Sequence, residues 1–182
     1  GREAGARVVV AAWIDNDLLR SMTAYRRRPG GWWAKPTFRL QGDSLVPLEP
    51  RTRLAGVAEW ARVRSRLVQA WRAAVRERQV RDVDSPVWQL NAAIFRALQR
   101  DVEAAGARLL VVRLPQKGQR EASPAAASLA GMGLAVLDLG ALLPERPERL
   151  FYVQDPHFNA EGHAWAARHI TARLEALGWL HQ

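Results

Sequence analysis

The stretch SPVWQLNAAIFRALQRDVEAAGARLLVVRL, residues 85–114, sets a long amphipathic pattern directly ahead of a continuous apolar run. Ser85 suits the N-cap of a helix, and Pro86 suits its first position, where the missing N–H costs nothing and φ is already set. Val87, Leu90, Ile94, Leu98, Val102 and Ala105 recur at helical spacing, and Gly106 can adopt the positive φ on which helices commonly stop. Arg108 to Leu114 then reads R-L-L-V-V-R-L, apolar at consecutive rather than alternate positions. That pattern predicts a strand buried on both faces, closed by Pro115.

Working outward, the same two patterns recur. Arg7 to Trp13 (R-V-V-V-A-A-W) and Leu134 to Leu139 (L-A-V-L-D-L) read as further buried strands, with a short Ala-rich helix around Pro124 to Ala130. A last helix is expected from its N-cap Asn159 to about Leu177, with Ala166, Ile170, Leu174 and Leu177 inward. Helices alternating with continuous apolar strands imply right-handed βαβ units and a parallel sheet, hence an α/β fold in a single domain over residues 1–182.

Residues 25–84 break this rhythm and read as an insertion. Its first half is rich in Gly, Pro, Trp and Arg, and T-F-R-L-Q, a Gly42-Asp43 turn and S-L-V-P-L predict a hairpin. From Gly56 to about Val80, Trp60, Val63, Leu67, Trp71 and Ala74 recur at helical spacing, with Arg62, Arg66, Arg72, Arg76 and Arg78 mostly off that stripe, so an amphipathic helix with a basic outer face is expected.

Composition bounds the function. With 182 residues and 48% hydrophobic content the chain can bury a sizeable core. No apolar run of about 18 residues is present, so no membrane-spanning segment is expected. The absence of cysteine excludes a disulfide framework, a thiolate nucleophile and a cysteine metal site, without choosing a compartment. The net charge is +9, and apart from Lys35 and Lys117 every cation is Arg. Those arginines are dispersed and accompany no nucleic-acid motif, so no nucleic-acid partner is expected.

The chemistry concentrates in Asp155-Pro156-His157-Phe158-Asn159-Ala160-Glu161-Gly162-His163. A carboxylate bonded to one imidazole nitrogen fixes the tautomer and leaves the other nitrogen to take a proton from a hydroxyl nucleophile. Asn159 already serves the helix cap, which frees Asp155 and His157 from that role. Metal binding is disfavoured: His157, His163 and His169 recur every six residues, a spacing that turns helical side chains by about 240° and denies them a shared face. Asn16, after the first strand, can act as a turn residue or aim its amide at a developing oxyanion.

Together, Asn16-Asp17, the V-V-R-L-P strand and D-P-H-F-N-A-E-G-H before a terminal helix resemble the SGNH (GDSL-type) hydrolase superfamily over nearly the whole chain. The K-P-T-F-R-L…L-V-P-L-E-P insertion is similar to one in many bacterial members. The resemblance implies a flavodoxin-like three-layer α/β/α sandwich and a Ser-His-Asp triad assisted by an oxyanion hole. His157 would be the base, Asp155 its orienting acid and Asn16 an oxyanion donor, with no cofactor and no metal. Two positions depart from the family pattern: Ile14 stands where a Gly is usual, and one residue rather than two separates Asp155 from His157.

The nucleophile is the larger departure. Gly42-Asp43-Ser44 imitates the family's serine block, but it follows Asn16, lies between two strand-like runs and has Leu48 where a Gly is usual. A strand–turn–helix context is what exposes a nucleophile, so Ser44 reads as a hairpin residue. Ser21, Ser65, Ser85, Ser123 and Ser128 have weaker contexts still. The chain is therefore expected to be the C-terminal portion of such a domain, with the serine upstream of Gly1, an open edge on the Arg7–Trp13 strand, and low solubility and activity on its own. The expected function is a serine esterase, deacetylase or O-acyltransferase acting on acyl esters, such as O-acetyl groups on carbohydrate. The alternative is a non-catalytic basic module holding an anionic polymer or membrane surface through the Gly56–Val80 helix, whose binding would weaken steeply with salt.

Overall fold

A computed structural model describes residues 5–22, 25–28, 31–42, 44–48, 75, 78–79 and 82–180. The chain divides into two compact units, one formed by Gly1–Asp15 with Ala97–Gln182 and the other by Asn16–Arg96. Of the expected Gly56–Val80 helix, Val75, Arg78 and Gln79 are helical, and the rest lies outside the described residues, as do Asp43 and Ser65.

The first unit is α/β. Strands β1 (Val8–Trp13), β6 (Arg108–Arg113) and β7 (Ala135–Asp138) form a parallel sheet in the order β1-β6-β7, with Val8 beside Arg108 and Leu110 beside Ala135. As the middle strand, β6 is buried from Leu109 to Arg113, as its unbroken apolar run predicts. Leu110 and Val112 join Leu139, Leu150, Phe151, Phe158, Trp165, Ala166 and Leu174 in one apolar core. Leu109 and Val111, alternating with them, are buried on the opposite face. Strand β1 departs from the expectation of burial on both faces. Only Trp13 is buried and Val10 is 41% exposed, because among the described residues β1 pairs on one edge alone.

The helix ends follow local chemistry. In α2 (Pro86–Ala104) the Ser85 hydroxyl accepts the Trp88 N–H at 3.2 Å. At its other end Gly106 has φ +74°, and the Gly106 and Ala107 N–H groups close on the Glu103 and Val102 carbonyls, satisfying acceptors the helix would otherwise leave open. Helix α3 (Pro124–Gly131) buries Ala125, Ala126 and Leu129. Helix α4 (Ala160–Ala176) is capped by Asn159, whose side chain accepts the Gly162 N–H at 2.9 Å. Ala166 and Leu174 face the core as expected, with Ile170 and Leu177 partly buried against it. Trp165, also in that core, escaped the spacing argument.

A Cβ on Gly162 would lie 2.1 Å from the Leu150 carbonyl oxygen, which already accepts the Asn159 N–H at 3.0 Å. A fixed backbone carbonyl cannot give way as a side chain can. Gly162→Ala is therefore expected to cost about 1–3 kcal/mol in urea unfolding; wild-type stability would show that the segment before α4 yields.

The second unit holds the short helix α1 (Asp15–Arg20, beginning at the unit boundary) and two antiparallel hairpins. These pair β2 (Tyr25–Arg28) with β3 (Gly31–Ala34), and β4 (Thr37–Gln41) with β5 (Ser44–Leu48). The second is the hairpin predicted around Gly42, whose φ is +58°. Buried Asn91 uses both amide hydrogens, on the Leu18 and Val87 carbonyls at 2.8 and 2.7 Å. No described helix is long and apolar enough to cross a membrane.

Candidate active site

Asp155 and His157 sit on a loop closed at its base like a hairpin. Phe151 and Phe158 form an antiparallel bridge, with their rings 5.0 Å apart, and the Tyr152 N–H donates to the His157 carbonyl at 3.2 Å. Asn159 strengthens this closure: besides capping α4, its amide donates to the Arg149 and Phe151 carbonyls at 2.7 and 3.1 Å. Apolar rings and a capped helix thus hold the two ends of residues 152–157 together, forcing the loop outward.

Within the loop, one oxygen of Asp155 accepts the His157 backbone N–H at 2.8 Å and also bonds His157 Nδ1. The His157 backbone N–H, and then its ring, hold the Asp155 carboxyl below the usual carboxylate range. Binding Nδ1 leaves Nε2 as the outward nitrogen, and among the described residues Nε2 makes no hydrogen bond. The pair is open to solvent, with side chains 53% and 68% exposed for Asp155 and His157. An ionised carboxylate on one imidazole nitrogen with the other nitrogen facing outward can accept and return a proton.

Lys117 holds this loop from outside. Its Nζ donates to the Tyr152 and Val153 carbonyls, and its backbone N–H donates to the Pro156 carbonyl at 3.3 Å. Lys117 follows the carboxyl end of β6, the end at which open α/β sheets gather their functional loops.

The same end of the sheet carries a buried ion cluster. Arg113 is 3% exposed, and all five of its N–H groups are used. Nε and Nη2 grip Asp15 at 3.2 and 2.8 Å, and Nη2 also reaches Gln119 Oε1 at 3.3 Å. Nη1 donates to Asp138 at 3.2 Å and to the Glu121 carbonyl at 3.0 Å. Burial opposes the guanidinium charge, but the bonds and charges of Asp15 and Asp138 outweigh it and raise the Arg113 pKa. Asp138 also accepts the Ser123 and Gly140 N–H groups. A Cβ on Gly140 would fall 2.1 Å from Arg113 Nη1, so glycine is what lets the guanidinium in. Sequence reasoning passed over this cluster, although an Arg ending an apolar strand was a signal that carboxylates must meet it.

The remaining candidates fall as follows. Asn16 is an exposed residue of α1, directly after the Asp15 that Arg113 holds. Ser44 is exposed at the start of β5, paired with Gln41 in the hairpin ladder. Ser21 donates to the Leu18 carbonyl, Ser85 caps α2, and Ser123 precedes α3 as a buried residue. His163 and His169 pack edge-on against Phe158 and Trp165, with ring centroids 6.0 and 4.8 Å apart. The second unit has a concavity of about 470 Å³ lined by Met22, Phe38, Leu48 and Leu90 among others, and none of the predicted site residues lines it. No family model, curated protein or solved structure matches the chain.

Proposed function

We propose that the chain carries the base and the orienting acid of a serine ester hydrolase or O-acyltransferase acting on acyl esters, with O-acetylated carbohydrate as the substrate class suggested by the family resemblance. The observation that carries the reading is the bond from His157 Nδ1 to Asp155 on a loop closed at its base and held by Lys117. In the proposed reaction a serine hydroxyl attacks the ester carbonyl while His157 Nε2 takes its proton. Amide donors stabilise the tetrahedral oxyanion, and His157 returns the proton to the departing alcohol. Water or an acceptor alcohol then releases the acyl group by the same steps. The serine is proposed to come from a segment outside residues 1–182, pairing along the edge of β1 that has no partner among the described residues.

A fluorophosphonate probe tests this, because it labels only serines whose hydroxyl is activated by a neighbouring base. The full-length polypeptide is expected to take one label, and His157→Gln to lose it with the circular dichroism spectrum unchanged. Equal labelling of both proteins would end the assignment of His157 as base.

A further inference from the structure

The geometry points to Lys117 as a positioning residue for the Asp155–His157 pair, an inference that rests on the proposed esterase reading. The base of the 152–157 loop is closed by the Phe151–Phe158 bridge and by Asn159. Beyond that base, Lys117 is the one residue outside the loop, among those described, whose hydrogen bonds reach Val153 and Pro156. Its ammonium gathers two successive carbonyls, Tyr152 and Val153, and its own N–H takes the Pro156 carbonyl next to Asp155. Three donors from one residue thus set the curvature that brings Asp155 under the His157 backbone and ring.

Lys117 can do this because its own segment is anchored. The Gln119 side chain accepts the Gln116 N–H at 2.8 Å, the Gln119 N–H returns to the Gln116 carbonyl at 3.0 Å, and Gly118 takes φ +90° between them. Gln119 in turn bonds Arg113 and, at 3.1 Å, Asp15. Hydrogen bonds therefore run from Asp15 through Arg113 and Gln119 to the Gln116–Gln119 turn that carries Lys117, and from Lys117 on to the loop of the base. Lys117 touches none of the proposed reacting atoms, so its part is orientation. A misplacement of about 1 Å in such a group costs on the order of 10²-fold in rate.

The test compares Lys117→Met, Lys117→Arg and, as a control on the same segment, Arg120→Ala in the full-length polypeptide. Arg120 is exposed, and its ion partner is Glu148 at 3.9 Å rather than any of the three loop carbonyls. Two readouts are taken: kcat and KM on a short acyl ester, and the imidazole Nδ1–H resonance of ¹⁵N-labelled His157. Lys117→Met is expected to lower kcat about 10²-fold with KM within about twofold, and to broaden or abolish the Nδ1–H resonance. Lys117→Arg should restore most of both, and Arg120→Ala should leave both as in the wild type. Wild-type kcat and an unchanged resonance in Lys117→Met, alongside loss of turnover in His157→Ala, would overturn the positioning role alone. A lost resonance in Lys117→Met together with full turnover in His157→Ala would uphold the positioning and overturn the esterase reading.

Discussion

His157→Ala is expected to lower kcat on a short acyl ester by about 10²–10⁴-fold, the usual contribution of a positioned general base. Since the proton transfer belongs to the transition state, kcat/KM should fall by the same factor and KM should hardly move. The fold should survive: the His157 side chain is 68% exposed and outside the apolar core, so its loss opens no cavity. Turnover within a fewfold of wild type would remove His157 from the mechanism. Asp155→Asn makes a finer comparison. Asparagine can still accept the His157 backbone N–H, but it offers no charge to an imidazolium and can favour the wrong tautomer. A large loss of rate with an intact loop would separate the carboxylate's charge from its structural bond. The pH dependence follows from the lowered Asp155 pKa. A depressed carboxyl contributes fully above its unfolded value of about 3.9 and is lost as pH falls through the lower folded value. Asp155 thus stays ionised throughout mildly acidic solution, and activity lost there should come from another group.

Arg113→Met should be the most destabilising single change in the first unit, at about 3–5 kcal/mol, because removing one partner of a buried ion cluster strands the others. Methionine nearly matches the stem of arginine but leaves Asp15 and Asp138, 18% and 13% exposed, without their cation. The remaining donors to them, from Gln119, Ser123 and Gly140, are neutral. Thermal unfolding should fall by on the order of 10 °C. Adding Asp15→Asn and Asp138→Asn should recover part of the loss, since the stranded charges go with it. A single variant within about 0.5 kcal/mol of wild type would show that water takes over the guanidinium's role. Arg113→Lys is not expected to substitute, because one ammonium cannot reproduce a fork that grips Asp15 with two nitrogens and Asp138 with a third.

Much of the α/β framework was legible because its signals are local. The Ser85 cap, the Gly106 stop, the Gly42 turn and the Asn159 cap each depend on a few neighbouring dihedrals. The Asp155–His157 bond was legible for the same reason, as two residues apart is a distance the loop itself spans. The open edge expected of β1 is present among the described residues, but its burial on both faces was misjudged, because apolar spacing reports what a strand can bury and not what packs over its faces. Trp165 was missed because the core it enters is shaped by Phe158 on a different segment, at a ring separation of 5.9 Å.

By itself, the amino-acid order located the strands of the parallel sheet, the helices from Pro86, Pro124 and Ala160 and the Gly42 hairpin, though not α1 or the β2–β3 hairpin, and set an acid two residues ahead of a histidine. Tertiary structure alone decided which charges meet. Nothing local in a chain with 27 basic and 18 acidic residues tells Arg113 to choose Asp15, 98 positions away, and Asp138. Nor does it assign Lys117 to the carbonyls of residues 152 and 153. Backbone patterns act over a turn or a pleat, whereas ion pairing and carbonyl capture depend on distances that exist only after the sheet has formed. That is why the pairing of Asp155 with His157 could be read along the chain, while the lysine on their loop had to be found in space.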